Sequence, residues 1–310
     1  MKYLVTGGAG FIGSNIVKAL LDRGDRVRVL DNFATGKRSN ILQFCDNPNF
    51  EMVEGDLRSF HIVRDAVREV DFILHQGALP SVPRSITDPL TSNEVNVLGT
   101  LNVLEAAKEF GVKRVVYASS SSVYGNNNRL PKVEDMPVDP LSPYALSKYT
   151  AERYCQIYHS IYGVETVCLR YFNVFGPNQD PTSQYSAVIP KFILAIKEKR
   201  APVIFGDGMQ SRDFTFVQNN VAANILSCTA PGISGQVFNI ACGERFTLLE
   251  LVTLINKILG TNIDPVFNKD RIGDVRDSLA GIEKAEKLLK YRPEVGFETG
   301  LRKTIESFQL

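Results

Sequence analysis

The sequence predicts an α/β protein built on a doubly wound parallel sheet, with a smaller α/β substrate-binding lobe toward the C-terminus. Three observations predict it. Short β-branched runs alternate with stretches of helical spacing through the first half, and parallel neighbours need crossover connections of that kind. A glycine cluster falls at the first strand-to-helix turn. After Asn173 the rhythm breaks into short mixed segments, opening with Gly, Pro, Asn and Gln gathered in 176–186.

Strands are expected over residues 2–6, 26–31, 50–54, 72–75, 115–119 and 166–170. Helical spacing marks 12–23, 62–70 and 95–110. Residues 214–228 and 237–241 read as a helix and a strand returning to the main sheet. The expected division is therefore discontinuous: 1–173 with 214–242 in the sheet domain, 174–213 with 243–310 in the smaller lobe. A chain of 310 residues is long enough for both.

Composition excludes several classes of function. The formal net charge is +1, so nothing global favours nucleic acid or an anionic membrane. The five cysteines are odd in number, scattered and never spaced as CxxC, which reads as reduced thiols. None of the three histidines has HxxxH spacing, and no metal is expected. Neither a signal peptide nor a membrane span is expected, and the expected compartment is the cytoplasm.

The glycine cluster carries the first chemistry. Gly7, Gly10 and Gly13 have GxxGxxG spacing, with Phe11 and Ile12 between the last two, and open a helix directly after the first strand. Gly7 permits the tight turn, Gly10 lets a pyrophosphate approach the backbone, and Gly13 lets the helix pack closely. The phosphates then lie at the positive end of that helix. Asp31, eighteen residues beyond Gly13, ends the second strand with Asn32 beside it. Its carboxylate can take both adenosine ribose hydroxyls and would repel a 2′-phosphate, which predicts NAD over NADP. Lys37 and Arg38 nearby pull against that choice. Asp56, followed by Leu57, closes the third strand and can bond the adenine amino group.

The second chemistry is the pair Tyr144 and Lys148. Ser142 can cap their helix and Pro143 suits its first turn. Four residues apart, phenol and ammonium share one helical face. A free phenol titrates near ~10, and the neighbouring ammonium and the positive nicotinamide ring are both expected to lower that value. Lys148 can also hold the nicotinamide ribose. A serine run, 119–122, ends a predicted strand, where parallel sheets present chemistry. Ser120 or Ser121 could pass a proton between a sugar hydroxyl and Tyr144.

Together these elements resemble the extended short-chain dehydrogenase family, whose nucleotide-binding half is a Rossmann sheet, and within it the UDP-sugar 4-epimerases. The elements are TGGAGFIG (6–13), DNF (31–33), GDL (55–57), HQGALPSVPRSI (75–86), SSSSVYG (119–125), SPYALSK (142–148), LRYFNVFGP (169–177), AVIPKF (187–192), GDGMQSRDF (206–214) and GDVRDS (273–278). The resemblance implies Ser120 as the catalytic serine, with Ser121 and Ser122 nearer the sugar. It implies Gln76, Gly77 and Ala78 beside the cofactor, and Ser81 and Arg84 near the hexose. Asn173 would contact the diphosphate, and Ala187, Val188, Ile189 and Lys191 would wall the uridine site. Arg212 and Arg271 would clamp the diphosphate, a task that suits guanidinium forks. Ser278 would stand beside the sugar's C2 substituent and leave room for an acetamido group.

The implied reaction is C4 epimerisation of a UDP-hexose, acetylated or plain, with NAD kept bound. Rivals are a UDP-glucuronate 4-epimerase or decarboxylase and, from another class, a non-catalytic NAD-binding sensor on the same fold. A 4,6-dehydratase would carry an Asp-Glu pair where Ser121 and Ser122 stand. Residues 95–110 and 144–162 are apolar over more than one face, and in resembling proteins such helices form a four-helix dimer interface. A homodimer is expected.

Overall fold

The computed structural model describes residues 1–181, 187–269 and 276–308. Arg271 and residues 273–275 of the 273–278 element lie outside them.

Seven strands form one sheet: β1 (Lys2–Thr6), β2 (Arg26–Asp31), β3 (Phe50–Glu54), β4 (Phe72–His75), β5 (Arg114–Ser120), β6 (Thr166–Tyr171) and β7 (Gln236–Ile240). Their order is β7-β6-β5-β4-β1-β2-β3, and every neighbouring pair is parallel. This is the doubly wound sheet the sequence predicts. Its strand order reverses between β1 and β4, where open α/β sheets leave a crevice at their carboxyl ends.

The longer helices, in chain order, are α1 (Phe11–Asp22), α2 (Phe60–Val67), α3 (Gly99–Phe110), α4 (Pro143–Tyr162), α5 (Val188–Lys197), α6 (Val217–Thr229), α7 (Leu248–Leu259) and α8 (Phe297–Ser307). Strand side chains alternate between faces, so Tyr3 and Val5 join one core while Leu4 joins the other. The first core takes Ile16, Val17 and Leu20 of α1 and Val221 of α6. The second takes Val63 of α2, Val103 and Leu104 of α3, and Ala151 and Cys155 of α4.

A third core gathers around Phe175, Phe214, Phe216 and Phe297, with α5, α7 and α8 packed against it. Strands here are two or three residues long. Side-chain packing holds this region more than ladders do.

Two departures from the expected elements bear on function. The helix expected over 95–110 opens with a wider π turn, Glu94–Leu98, before α3. Asn96 in that turn bonds both backbone groups of Leu79, and Gly99 lies so close to Leu57 that a Cβ would sit 2.9 Å from the Leu57 Cβ. Such turns recur at functional sites. The strand expected over 115–119 also runs on to Ser120, paired with Tyr171.

Candidate active site

The crevice at the switch point is a cleft of about 300 Å³. Gly7 takes φ +66, the left-handed region, and a Cβ there would sit 2.7 Å from the Gly77 Cα. At Gly13 a Cβ would sit 2.1 Å from the Gly7 carbonyl oxygen, so α1 can start only where glycine stands. The helix is entered through Gly10, and no side chain caps its first turn. Those uncapped N–H groups point at an anion site.

Asp31 is buried at the end of β2, where its carboxylate accepts Ala9 N–H (2.9 Å) and Phe33 N–H (2.8 Å). Burial raises its pKa, and these two bonds pull it back. Lys37 pairs with Asp180 (3.0 Å) and Arg38 with Glu54 (2.6 Å). Asp56 accepts from Asn32 Nδ2 (2.9 Å) and from the Arg58 guanidinium (2.8 Å). Arg58 chiefly holds the Asp56 carboxyl down, at about 2. Every residue expected to touch the cofactor, from the glycine loop through Gln76, Gly77 and Ala78 to Tyr144 and Lys148, lines this one cleft.

Tyr144 enters on the first turn of α4, whose N-cap Ser142 accepts Ala145 N–H at 3.1 Å. Ser85 holds the Tyr144 backbone N–H (3.0 Å). Lys148 is buried one turn on and donates from Nζ to the Ala118 carbonyl (2.8 Å). Here one expectation needs correcting. Burial raises the Tyr144 pKa, and the interaction that lowers it comes from Ser120, not from the ammonium. The same burial pulls Lys148 down to about 8, because water no longer solvates its charge.

The serine run splits into distinct environments. Ser119 lines the cleft but donates to the buried Glu152 carboxylate (2.8 Å). Ser120 faces Tyr144 and accepts from Ser122 Oγ (2.9 Å), so Ser122 turns back onto Ser120. Ser121 opens the 3₁₀ turn Ser121–Tyr124.

A second cavity, of about 310 Å³, is walled by Asn173, Ala187, Val188, Ile189 and Arg212 together with Phe205, Gln210 and Phe214. Asn173 takes φ +34 and donates to the Asp213 carbonyl and to Ser278 Oγ, both at 2.9 Å. Ser278 therefore meets the cavity through Asn173 rather than at its wall. Arg212 donates to the Arg276 carbonyl (2.8 Å). Lys191 sits on α5 outside the wall. Ser81 caps the short helix Val82–Thr87, which carries Arg84, and both stand outside the two cavity walls. Tyr171 lines the first cavity and Asn173, two residues on, lines the second.

Asn96 and Asn224 lie outside the motifs, and Tyr171 and Asp213 lie inside motifs that assigned them no role. Gln76 is held by Asn224 (3.0 Å) and by the Tyr171 hydroxyl (3.2 Å), and Asn224 also donates to that hydroxyl (2.6 Å). Asp213 accepts the N–H groups of Cys242, Gly243 and Ala280, and burial lifts its pKa to about 6. The signal available for Asn96 and Asn224 was a polar residue inside an apolar helical stretch.

Residues 3–241 match the NAD dependent epimerase/dehydratase family. A UDP-glucose 4-epimerase of Mycolicibacterium smegmatis is 37% identical over 100% of this chain and 99% of its own. Among solved structures, a UDP-N-acetylglucosamine 4-epimerase of Methanobrevibacter ruminantium in complex with UDP-N-acetylmuramic acid superposes with a TM-score of 0.95. It is 41% identical, over 99% of this chain and 97% of that one. A UDP-glucose 4-epimerase of Thermus thermophilus in complex with NAD gives a TM-score of 0.89 at 36% identity, over 99% of both chains.

Proposed function

This chain belongs to the NAD-dependent epimerase/dehydratase family, and we propose that it inverts C4 of a UDP-hexose through a transient 4-keto sugar. The substrates are UDP-GlcNAc and UDP-GalNAc, UDP-Glc and UDP-Gal, or both pairs. One observation carries the reading: the Tyr144 phenol, with Ser120 opposite and Lys148 beneath, stands in the same cleft as the glycine loop and Asp31.

The residues present fit NAD. The uncapped first turn of α1 takes the pyrophosphate, and the free lone pairs of Asp31 take the ribose hydroxyls. Lys37 and Arg38, already paired with acids, do not offer themselves to a 2′-phosphate. Asp56 faces the adenine and Lys148 the nicotinamide ribose. Bound NAD accepts a hydride from C4 and later returns it.

Tyr144 Oη takes the proton of the 4-hydroxyl, with Ser120 Oγ bonded to the same oxygen. Ser120 lowers the pKa of the phenol that accepts it, and Lys148, cationic below about pH 8, holds the nicotinamide ribose. After the sugar has turned about its diphosphate link, Tyr144 gives the proton back on the other face. Arg212 and Asn173 hold the diphosphate meanwhile, and Ala187, Val188 and Ile189 wall the uridine. Residues 174–213 and 243–310 thus act as the lobe for the nucleotide sugar. General-base help of this type is worth roughly 10²–10⁴ in rate.

The chain works as a homodimer in this reading. Leu146, Ile157, Ile161 and Tyr162 on α4 are exposed, with Leu98 at the start of α3, whereas Leu104, Cys155 and Tyr158 face the core. Among the described residues no helix is long and apolar enough to cross a membrane. A four-helix bundle with a second copy covers the exposed set. Light scattering tests it: wild type should run as a dimer and Leu146→Glu with Ile157→Glu as a monomer.

NMR product analysis with UDP-Glc, UDP-GlcNAc and UDP-GlcA in parallel tests the reaction. Inversion at C4 of one of the first two is the expected result. Conversion of UDP-GlcA alone would replace the substrate, and no conversion would leave a binding protein.

A further inference from the structure

We propose that the buried Glu152–Arg170 ion pair, acting through Ser119, is the positioning device that sets Ser120 against Tyr144. Three successive residues of β5 meet three successive turns of one face of α4. Ser120 faces Tyr144, Ala118 accepts from Lys148, and Ser119 donates to Glu152. Tyr144, Lys148 and Glu152 are spaced i, i+4 and i+8, so they lie one above the other.

The third rung is braced from the neighbouring strand. Ser119 and Arg170 are partners in the β5–β6 register, and both reach the same carboxylate. Arg170 donates to Glu152 from Nη2 (2.6 Å) and from Nε (3.1 Å). Its guanidinium also lies over the Tyr124 ring (4.7 Å), at the end of the serine turn. Strand, helix and turn are thereby referred to one carboxyl group.

Burial makes this more than a surface contact. Glu152 is 1% exposed and Arg170 3%. Ion pairs so deep usually add less stability than well-packed apolar groups, and the best-attested reason to keep one is register. Neither member of the pair lines the cleft, and neither bonds a group that exchanges a proton in the proposed reaction; the pair meets the cleft's wall only through Ser119. What it touches is the residue next to Ser120. Slippage of that strand end would move Ser120 away from the phenol, and misplacement of about 1 Å can cost 10²-fold in rate.

The test uses Ser119→Ala, which cuts the link and leaves the ion pair whole, and Ser119→Thr, which restores the hydroxyl. The rate consequence rests on the function proposed above; the geometry does not. In tyrosine-13Cζ-labelled protein, the Tyr144 resonance is assigned by its loss in Tyr144→Phe. Other titratable groups around it are Tyr117 on β5 and Lys148 on α4, with His75 on β4 beyond Lys148, and none is altered. Without the aligned Ser120 the Tyr144 titration should start about one pH unit higher in Ser119→Ala and return in Ser119→Thr. In turnover, kcat should fall about 10-fold or more at unchanged KM, and the pH–rate profile should move in the same direction.

Two results overturn the inference: a Tyr144 titration in Ser119→Ala identical to wild type, or a shift that Ser119→Thr does not reverse. Inactivity of the wild-type protein on every UDP-sugar would remove the proposed function. The NMR arm would still decide the positioning role.

Discussion

The two cavities are built in different ways. The first lies at the carboxyl ends of hydrogen-bonded parallel strands, where ladder register fixes each backbone position to its neighbour. Its residues arrive in consecutive turns, one per strand end, so a local motif places a whole wall. The second is assembled from two- and three-residue strands and from segments far apart in the chain. Asn173 meets Ser278, and Arg212 meets the backbone of Arg276. A sheet end behaves as a rigid rack, whereas the lobe is a packing solution. In the proposed reaction, chemistry that must not move falls to the first and recognition that can vary falls to the second.

That contrast can be broken from the chemical side first. Tyr144→Phe should lower kcat by roughly 10²–10⁴ while NAD stays bound, because only the proton acceptor is lost. Steady-state assay and the absorbance of retained cofactor read both quantities. Equal loss of cofactor would show that the phenol builds the cleft rather than works in it.

Arg212→Ala strikes the packing-built cavity. A charge-assisted bond is worth about 1.5–3 kcal/mol, so KM for the UDP-sugar should rise roughly 10- to 100-fold with cofactor retention unchanged. A comparable loss of NAD would mean that the two cavities are not separable.

Lys148→Met sharpens the rack side through stability. The ammonium titrates at about 8 in the fold against 10.5 outside it. Below pH 8 both states hold the proton, and the fold bears the cost of burying the charge. Between pH 8 and 10.5 the unfolded chain binds more protons, so stability rises with pH as that cost is relieved. An apolar side chain should therefore raise unfolding free energy at pH 7 by about 1–3 kcal/mol, even after losing the bond to Ala118. Denaturant melts at pH 7 and pH 10 check it, the gain shrinking at the higher pH. Activity should collapse in the same variant.

The smallest effect is expected at Ser278→Ala. It removes one hydroxyl from Asn173, worth about 1 kcal/mol, and should raise KM some fivefold without touching kcat. A larger change in the ratio of acetylated to plain substrates would place Ser278 at the sugar itself.

The glycine loop, Asp31 and the Tyr144–Lys148 pair were legible because each is a local pattern with one physical meaning. GxxGxxG needs only a strand before it and a helix after it, and a four-residue interval needs only a helix. The serine run left Ser120 and Ser121 open, since periodicity did not say how far β5 extends. The ammonium's small part in the phenol pKa was not legible for a similar reason: burial depends on neighbours supplied by distant chain.

The sequence by itself determined the sheet, its winding and the residues brought to its carboxyl edge, because turn chemistry and alternation act over a few residues. Only the tertiary structure decided that Glu152 and Arg170 brace the serine turn. It alone brought Tyr171 and Asn224 onto Gln76, and it turned Ser278 toward Asn173. Such contacts join residues 18 to 148 positions apart, and no local pattern encodes a distance that folding has to close.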